Sequence, residues 1–179
     1  NHRLASGLPG HKTLDLTLFD MAFPLKQDAR LSCITGSLTD AQNITMLAQL
    51  RPDLIFHLAS IVSGEAESNF DAGWQVNMFT MWHYLEAVRK LHLETGGTYV
   101  PKIIFTSSSA VFGGPFPEQI DDTFLSAPQT SYGAQKASCE LLLSDFSRKG
   151  FVDGISLRLP TICAVSYTHL RAHETEQHR

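Results

Sequence analysis

Residues 102–113 read Lys-Ile-Ile-Phe-Thr-Ser-Ser-Ser-Ala-Val-Phe-Gly. The segment Lys102–Thr106 is apolar through its centre, which predicts a strand buried on both faces of a parallel sheet. Three serines follow where this strand ends, and a loop rich in Gly and Pro continues to Gln129. Because a loop of that length in a compact domain usually carries function, we predict a ligand site at the carboxyl end of this strand.

Strands and helices alternate along the rest of the chain. The evidence is period-two alternation, short apolar runs and apolar residues at helical spacing. Further strands are predicted at Thr13–Phe19, Arg30–Ile34, Leu54–Ala59 and Ile155–Leu159, and helices at Ala41–Leu50, Trp74–Leu93 and Ser131–Arg148. Strands separated by helices predict an α/β fold, a doubly wound parallel sheet with crossover helices.

The beginning of such a sheet is not found in the pattern. A doubly wound sheet normally opens with a strand, a glycine-rich turn and a helix. Here the first predicted strand is a lone strand followed by Asp20, and no helical pattern follows Gly7 or Gly10. We therefore predict an incomplete Rossmann-like sheet over residues 1–163, lacking the first strand–glycine loop–helix unit. Residues 164–179 show no apolar periodicity and are predicted to be a non-native or disordered tail, with a flexible natural tail as the alternative.

Composition excludes several classes of protein. Hydrophobic residues make up 43% of the 179 residues, and the formal net charge is -4. This is the balance of a soluble globular domain without the basic surplus of a nucleic-acid binder. No apolar run is long enough for a membrane helix. The three cysteines are far apart and no CxxC spacing occurs, so we expect a cytoplasmic protein without a metal site.

Tyr132-Gly-Ala-Gln-Lys136 is the strongest chemical feature of the chain. Side chains four positions apart at the start of a helix share one face, so the ammonium lies near the phenol. A nearby cation favours phenolate and lowers the pKa of a tyrosine toward neutrality. A tyrosine tuned in this way takes a proton from an alcohol while hydride leaves the carbon. The spacing alone also fits a surface pair, but the strand-end serines and the long loop before it favour catalysis.

These motifs together resemble those of the extended short-chain dehydrogenase/reductases, also called the NAD-dependent epimerase/dehydratase family. The resemblance runs from about Thr13 to Cys163. The matching positions are Asp20, Gly36–Asp40, His57–Ser60, Asn77, Ser107–Gly113, Tyr132–Lys136 and Arg158–Thr161.

The resemblance implies a catalytic role for three residues. Tyr132 is the general base or acid, and Lys136 lowers its pKa and binds the nicotinamide ribose hydroxyls. Ser108 holds the substrate oxygen, with Ser107 and Ser109 as register alternatives. Where the family often has tyrosine this chain has phenylalanine, at position 112, so no phenol there assists proton transfer.

NAD is the implied cofactor. Asp20 matches the acidic residue that binds the adenosine ribose, and a carboxylate there favours NAD over NADP because it repels a 2′-phosphate. An ordinary turn aspartate is the alternative interpretation. The remaining cofactor-binding positions are Ser37 and Leu38 at the adenine, Leu58, Ala59 and Ser60 along a cofactor wall, Asn77 as a buried amide behind the site, and Pro160 and Thr161 at the nicotinamide carboxamide. His57 is interpreted as a core histidine.

Two departures from the family concern the chain as a whole. No GxxGxxG loop is present to hold a pyrophosphate, so we expect weak or no NAD binding by this chain and no activity from it alone. The family's C-terminal substrate domain is expected after Thr161. The sequence therefore resembles the middle of a longer enzyme of about 300 residues or more, a two-domain length.

Residues 59–71 indicate a branch of the family. The segments Ala59–Glu67, Asn69–Asp71 and Arg158–Cys163 resemble the branch that oxidises the C2 hydroxyl of a four-carbon sugar acid with NAD. Ser63 is predicted to contact this substrate, and a solvated loop is the alternative. Two other functions stay open: a nucleotide-sugar epimerase or dehydratase, and a non-catalytic binding module on the same fold. The family often dimerises through long helices, so a homodimer of the whole protein is also expected.

Overall fold

The computed structural model describes residues 15–23 and 31–160. Within these residues the chain forms parallel strands connected by helices. The strands are β1 (Thr17–Asp20), β2 (Ser32–Thr35), β3 (Leu54–His57), β4 (Lys102–Ser108) and β5 (Asp153–Leu159). The helices are α1 (Ala41–Gln49), α2 (Ser63–Ser68), α3 (Phe70–Trp74), α4 (Thr80–Glu94) and α5 (Ser131–Arg148).

The strands form two parallel sheets. β1 pairs with β2, with Phe19 opposite Ile34. β4 lies between β3 and β5, with Ile104 paired to both Phe56 and Ile155. The predicted α/β fold with crossover helices is therefore confirmed.

The described strands do not join into one continuous sheet. No described strand pairs with the second edge of β1 or with the second edge of β3. Gly7, Gly10 and the tail 164–179 lie outside the described residues, so the division of the chain at residue 163 stays a prediction. No helix in residues 15–23 and 31–160 has both the length and the apolarity to cross a membrane.

Alternation along the strands of the larger sheet sends one set of side chains into the core. Ile103 and Phe105 of β4 are fully buried against Leu85 and Val88 of α4 and Leu143 of α5. Complete burial of a side chain of this size stabilises the fold by about 1.5–3 kcal/mol. Packing against β4 and α4 fixes the position of α5, the helix that begins with the predicted catalytic motif.

The opposite face of the same sheet is exposed and apolar. Phe56 of β3 and Ile155 and Leu157 of β5 retain 57%, 42% and 43% of their accessible surface. Leu58, just after β3, is 62% exposed. Doubly wound sheets bury both faces, so this face has the composition of an interior and the exposure of a surface.

Two segments differ from the sequence predictions. The segment between the predicted strand Leu54–Ala59 and the helix predicted from Trp74 is expected to be a loop, but it contains α2 and most of α3. The Asn69 side chain caps α3 by accepting a hydrogen bond from the Ala72 amide at 3.1 Å. The helix predicted from Trp74 begins as a π-helical turn, Gln75–Phe79, and continues as α4. Small and acidic residues carry little periodicity, so the local pattern did not predict these short helices.

Candidate active site

The carboxyl ends of β3, β4 and β5 lie side by side, because His57 pairs with Phe105 and Ser108 pairs with Leu159. Ser108 is the last residue of β4, and its hydroxyl accepts a hydrogen bond from the Ala110 amide at 3.1 Å. That bond closes a short 3₁₀ turn, Ser109–Val111. The predicted hydroxyl is therefore held at a strand end, where ligands bind in parallel sheets.

The three neighbouring serines have different surroundings. Ser107 is buried and its hydroxyl donates to the carboxylate of Glu140. Ser108 is half-buried, and Ser109 is exposed in the turn. Successive side chains of a strand point to opposite faces, so Ser107 points toward α5 and Ser108 points away from it. This geometry favours Ser108 over the alternative at Ser107.

The first turn of helix α5 packs against the 3₁₀ turn Ser109–Val111 that follows β4. Thr130 caps it by accepting a hydrogen bond from the Gly133 amide at 3.1 Å. A Cβ on Gly133 would lie 2.2 Å from the Ala110 carbonyl oxygen, so only glycine permits this approach. Glu67 of α2 accepts a hydrogen bond from the Ser131 amide at 2.9 Å. These contacts hold the first turn of α5, which carries Tyr132, against the turn Ser109–Val111.

Lys136 is buried one turn further along α5. Its ammonium donates to the Thr106 carbonyl oxygen at 2.9 Å. It lies 4.8 Å from the ring centre of Phe105 and 5.5 Å from that of Tyr132. Burial lowers the pKa of Lys136 from 10.5 to about 8. The structure thus brings the predicted Tyr132–Lys136 pair together, with the cation facing the tyrosine ring.

His57 lies behind this pair as a buried imidazole. It contacts Phe105 edge to face, with 5.9 Å between ring centres. Burial, together with the nearby Lys136 charge, lowers the pKa of His57 to about 4, so the ring is neutral near pH 7. Its Nδ1 atom has no hydrogen-bond partner among the described residues. These surroundings agree with the predicted core role.

Asn77 holds the segment that follows β3. Its Oδ1 atom accepts hydrogen bonds from the Ser60 hydroxyl at 3.0 Å and the Ile61 amide at 2.8 Å. Asn77 is buried, whereas Leu58 and Ala59 are exposed. Asn77 is therefore buried behind the segment that is predicted to form the cofactor wall, and Leu58 and Ala59 are exposed on that segment.

The predicted adenosine-binding residues lie together at the end of the smaller sheet. Asp20 is the exposed last residue of β1, and its carboxylate accepts from the Met21 amide at 2.6 Å. The Asp20 carbonyl accepts from the Gly36 amide at 2.9 Å, which brings Ser37 next to it. Leu38 packs against the core, so its side chain is partly removed from the expected adenine surface.

Three other predicted residues have less defined surroundings. Ser63 is the exposed first residue of α2 rather than part of a loop. Pro160 is exposed immediately after β5. Thr161 lies outside the described residues. Among residues 15–23 and 31–160, no group of three His, Cys, Asp or Glu side chains is arranged to hold a metal ion.

The sequence pattern did not predict an ion pair that lies beside the site. Arg158 of β5 donates to both carboxylate oxygens of Glu140, at 2.8–3.1 Å. The guanidinium also lies 4.8 Å from the ring centre of Phe112 and donates to the Ser126 hydroxyl at 3.3 Å. Phe112, where the family often has tyrosine, is thus packed against a cation. A charged residue between Leu157 and Leu159 of a predicted strand was the available signal.

Comparison with known proteins gives the same family as the motifs. A family model described as the NAD dependent epimerase/dehydratase family matches residues 4–178. D-erythronate dehydrogenase from Cupriavidus necator is 46% identical over 148 residues, which are 82% of this chain and 44% of that protein. D-erythronate dehydrogenase from Haemophilus influenzae is 45% identical over 153 residues, which are 83% of this chain and 46% of that protein. The chain spans less than half the length of these curated relatives.

Solved structures confirm the Rossmann-like fold. The nucleoside-diphosphate-sugar epimerase from Agrobacterium tumefaciens has a TM-score of 0.78 and 46% identity, over 86% of this chain and 46% of that chain. The UDP-glucose 4-epimerase of Thermus thermophilus, solved with NAD, has a TM-score of 0.69 at 22% identity over 81% of this chain and 47% of that chain, which shows the fold alone. The predicted cofactor, NAD, is the cofactor of the matching family. The strand-end serine, the paired Tyr132 and Lys136, and the match over residues 4–178 lead to one conclusion: the chain belongs to the NAD dependent epimerase/dehydratase family of enzymes.

Proposed function

We propose that this chain is the catalytic part of an NAD-dependent dehydrogenase that oxidises the C2 hydroxyl of a small sugar acid such as D-erythronate. The observation that carries the proposal is the buried ammonium of Lys136 against the ring of Tyr132, at the end of a parallel strand that carries Ser108. The identity of 45–46% to two D-erythronate dehydrogenases supports the choice of substrate.

The chain's own residues divide the work of proton transfer. Ser108 holds the substrate oxygen by a hydrogen bond. The phenolate of Tyr132 takes the hydroxyl proton, and the ammonium of Lys136 stabilises that phenolate. The carbonyl of Thr106 holds the ammonium in place at 2.9 Å. Because the pKa of Lys136 is about 8, we expect activity to fall above that pH as the ammonium is lost.

Exposed groups on both sheets fit the cofactor. The carboxylate of Asp20 is exposed and able to accept hydrogen bonds from ribose hydroxyls, with Ser37 and Leu38 beside it. Leu58, Ala59 and Ser60 form the wall, with Asn77 behind it, and Pro160 and Thr161 border the nicotinamide. Lys136 binds the nicotinamide ribose. NAD supplies the hydride acceptor of the reaction when it is bound.

A nucleotide-sugar epimerase or dehydratase is the second candidate. It is favoured by the 46% identity to the A. tumefaciens nucleoside-diphosphate-sugar epimerase, which equals the identity to the D-erythronate dehydrogenase of C. necator. The two activities differ in the fate of the hydride, because a dehydrogenase releases NADH and an epimerase returns the hydride to its substrate. Accumulation of NADH therefore separates them.

The proposal extends to location and partners. We infer a cytoplasmic enzyme whose partner is a sugar acid, with Ser63 among the residues that contact it. Exposed apolar residues on the two long helices, Trp82 of α4 and Leu141 of α5, support a homodimer of the whole protein.

The first experiment is a long sequencing read through both ends of the gene, followed by expression of the continuous reading frame. The purified protein is mixed with D-erythronate and NAD, and NADH absorbance is followed. The matched control is Tyr132→Phe, which removes only the hydroxyl. NADH formation that depends on Tyr132 supports the dehydrogenase.

Two other results contradict the proposal. Turnover of a nucleotide sugar without NADH release would favour the epimerase. Termini identical to those of this chain would favour the non-catalytic binding module. Calorimetry on the 179-residue chain is expected to show weak or no NAD binding, and stoichiometric binding would contradict that expectation.

A further inference from the structure

Gln135 is a fully buried amide between the two catalytic positions of α5. It lies three residues after Tyr132 and immediately before Lys136. Buried amides are held by hydrogen bonds because an unmade bond is costly. The partner of Gln135 is the side chain of Asn77, 58 residues earlier in the chain, and its Oε1 atom accepts from the Asn77 Nδ2 atom at 2.8 Å.

The backbone fixes the orientation of both amides. The Ile61 amide N–H can only donate, so the Asn77 atom 2.8 Å away is the oxygen. The Nδ2 atom of Asn77 then points to the Ile61 carbonyl at 3.2 Å and to Gln135. Gln135 must present an acceptor there, which is Oε1. The order of donors and acceptors therefore follows from one backbone N–H.

Asn77 has no free hydrogen-bonding position left for a different partner. Its oxygen accepts from Ser60 and Ile61, and its nitrogen donates to Ile61 and Gln135. The chain of bonds runs from α5 through the π-helical turn to the segment that follows β3. The Asn77 amide is thus fully satisfied, and these bonds hold it in one arrangement.

The other side of the Gln135 amide is fixed by packing. A Cβ on Gly73 would lie 2.5 Å from the Gln135 Nε2 atom. That nitrogen has no hydrogen-bond partner among the described residues. Glycine at position 73 thus leaves space for the Gln135 amide, whose side chain is hydrogen-bonded to Asn77.

We propose that Gln135 is a positioning residue, which fixes the turn Ser60–Ile61 relative to Tyr132 and Lys136 by acting through Asn77. The consequence for NAD, whose wall includes Ser60, rests on the proposed function. The substitution Gln135→Met removes the acceptor and keeps the length of the side chain. Gln135→Glu keeps an acceptor oxygen in either protonation state.

The test measures hydrogen exchange of the Ile61 amide by NMR in the 179-residue chain, which needs no cofactor. We expect exchange to be about tenfold faster in Gln135→Met than in the unsubstituted chain. The reason is that Asn77, which accepts the hydrogen bond from the Ile61 amide, is no longer held in place by Gln135. Recovery in Gln135→Glu is the second expected result. Ser147→Ala is the matched control, since it removes one bond from α5 to the Gly154 amide, 3.0 Å long and away from the site.

An Ile61 exchange rate that Gln135→Met leaves unchanged, or that Ser147→Ala raises equally, would overturn the proposal. So would a failure of Gln135→Glu to recover the slow exchange. If Gln135→Met does not fold, Gly73→Ala displaces the same amide without removing it and is expected to speed exchange at Ile61.

A second readout uses the longer reading frame. There Gln135→Met is expected to raise the KM for NAD about tenfold and to leave kcat within about twofold, because it moves the wall and not the proton-transfer groups. Equal losses in kcat and kcat/KM would contradict a positioning role. If the unsubstituted enzyme does not reduce NAD, the proposed function fails, and the exchange rates still decide the role of Gln135.

Discussion

Lys136 is a buried cation whose neighbours are a backbone carbonyl and two aromatic rings. Such an environment stabilises the ammonium less than water does, so the residue lowers the stability of the fold while it serves the site. The lowered pKa makes this cost dependent on pH. Measurements of activity and of unfolding free energy against pH therefore separate the catalytic role of Lys136 from its stability cost.

The pH dependence of stability has a definite sign. Between the folded-state pKa of about 8 and the ordinary value of 10.5, the unfolded chain binds a proton that the folded chain does not. Stability therefore rises with pH across this window. Denaturant unfolding at a series of pH values is expected to show this rise in the unsubstituted chain and its loss in Lys136→Met. Replacement of the exposed Lys149 by Met is the control, and parallel curves for all three proteins would contradict the assignment.

Gly133 permits the contact between α5 and the turn after β4. Gly133→Ala places a methyl group where the Ala110 carbonyl oxygen lies, 2.2 Å from the Cβ position. We expect a loss of about 1–3 kcal/mol in the free energy of unfolding, because the turn must move. Gly64→Ala is the control: its Cβ meets nothing within 4 Å, so this helical position is expected to gain stability. Equal effects in the two variants would argue against the close contact.

At the scale of secondary structure, the Arg158–Glu140 pair connects β5 to α5. Both side chains are largely buried, with 27% and 11% of their surfaces exposed. Arg158→Met alone leaves a carboxylate in the interior, and we expect a loss of about 3 kcal/mol by denaturant unfolding. The double variant Arg158→Met, Glu140→Leu is expected to be more stable than Arg158→Met, because no unpaired charge remains.

The same helix carries the control for this prediction. Arg148 and Asp145 form an exposed pair at the end of α5. Arg148→Met is expected to change the free energy of unfolding by less than about 1 kcal/mol. If Arg158→Met loses as little free energy of unfolding as Arg148→Met, the Arg158–Glu140 pair does not hold β5 and α5 together at the site.

Local pattern predicted α5 from Ser131 to Arg148 with the bounds that the structure has. A polar cap at Thr130, apolar residues at helical spacing and Gly150 after the end are all local signals. The pairing of Tyr132 with Lys136 and the serines at the end of β4 followed in the same way, whereas the choice of Ser108 among those serines came from the family resemblance. The partners of Gln135 and of Arg158 did not, because they are far away in sequence and no local periodicity encodes them.

At the scale of the molecule, exposed apolar residues on the larger sheet predict self-association. Leu157 is 43% exposed on β5, on the face opposite the core. Leu157→Lys is expected to reduce light scattering at high protein concentration without lowering the thermal midpoint, because a charge on this face opposes sheet-to-sheet contact.

Leu141→Lys on α5 is the control for that experiment. Leu141 is 74% exposed and belongs to the helical layer. A larger reduction in scattering from Leu141→Lys than from Leu157→Lys would assign the association to the helices instead.

The exposed sheet face also has a consequence inside a cell. Chaperones and proteases act on chains that show the apolar surfaces normally hidden in a native protein. Phe56, Leu58 and Leu157 give this chain such a surface while its core stays packed. The abundance of the polypeptide would then be set by quality control rather than by its unfolding equilibrium. A low yield on expression would accordingly report on this surface, and a folded state would still be present in the material recovered.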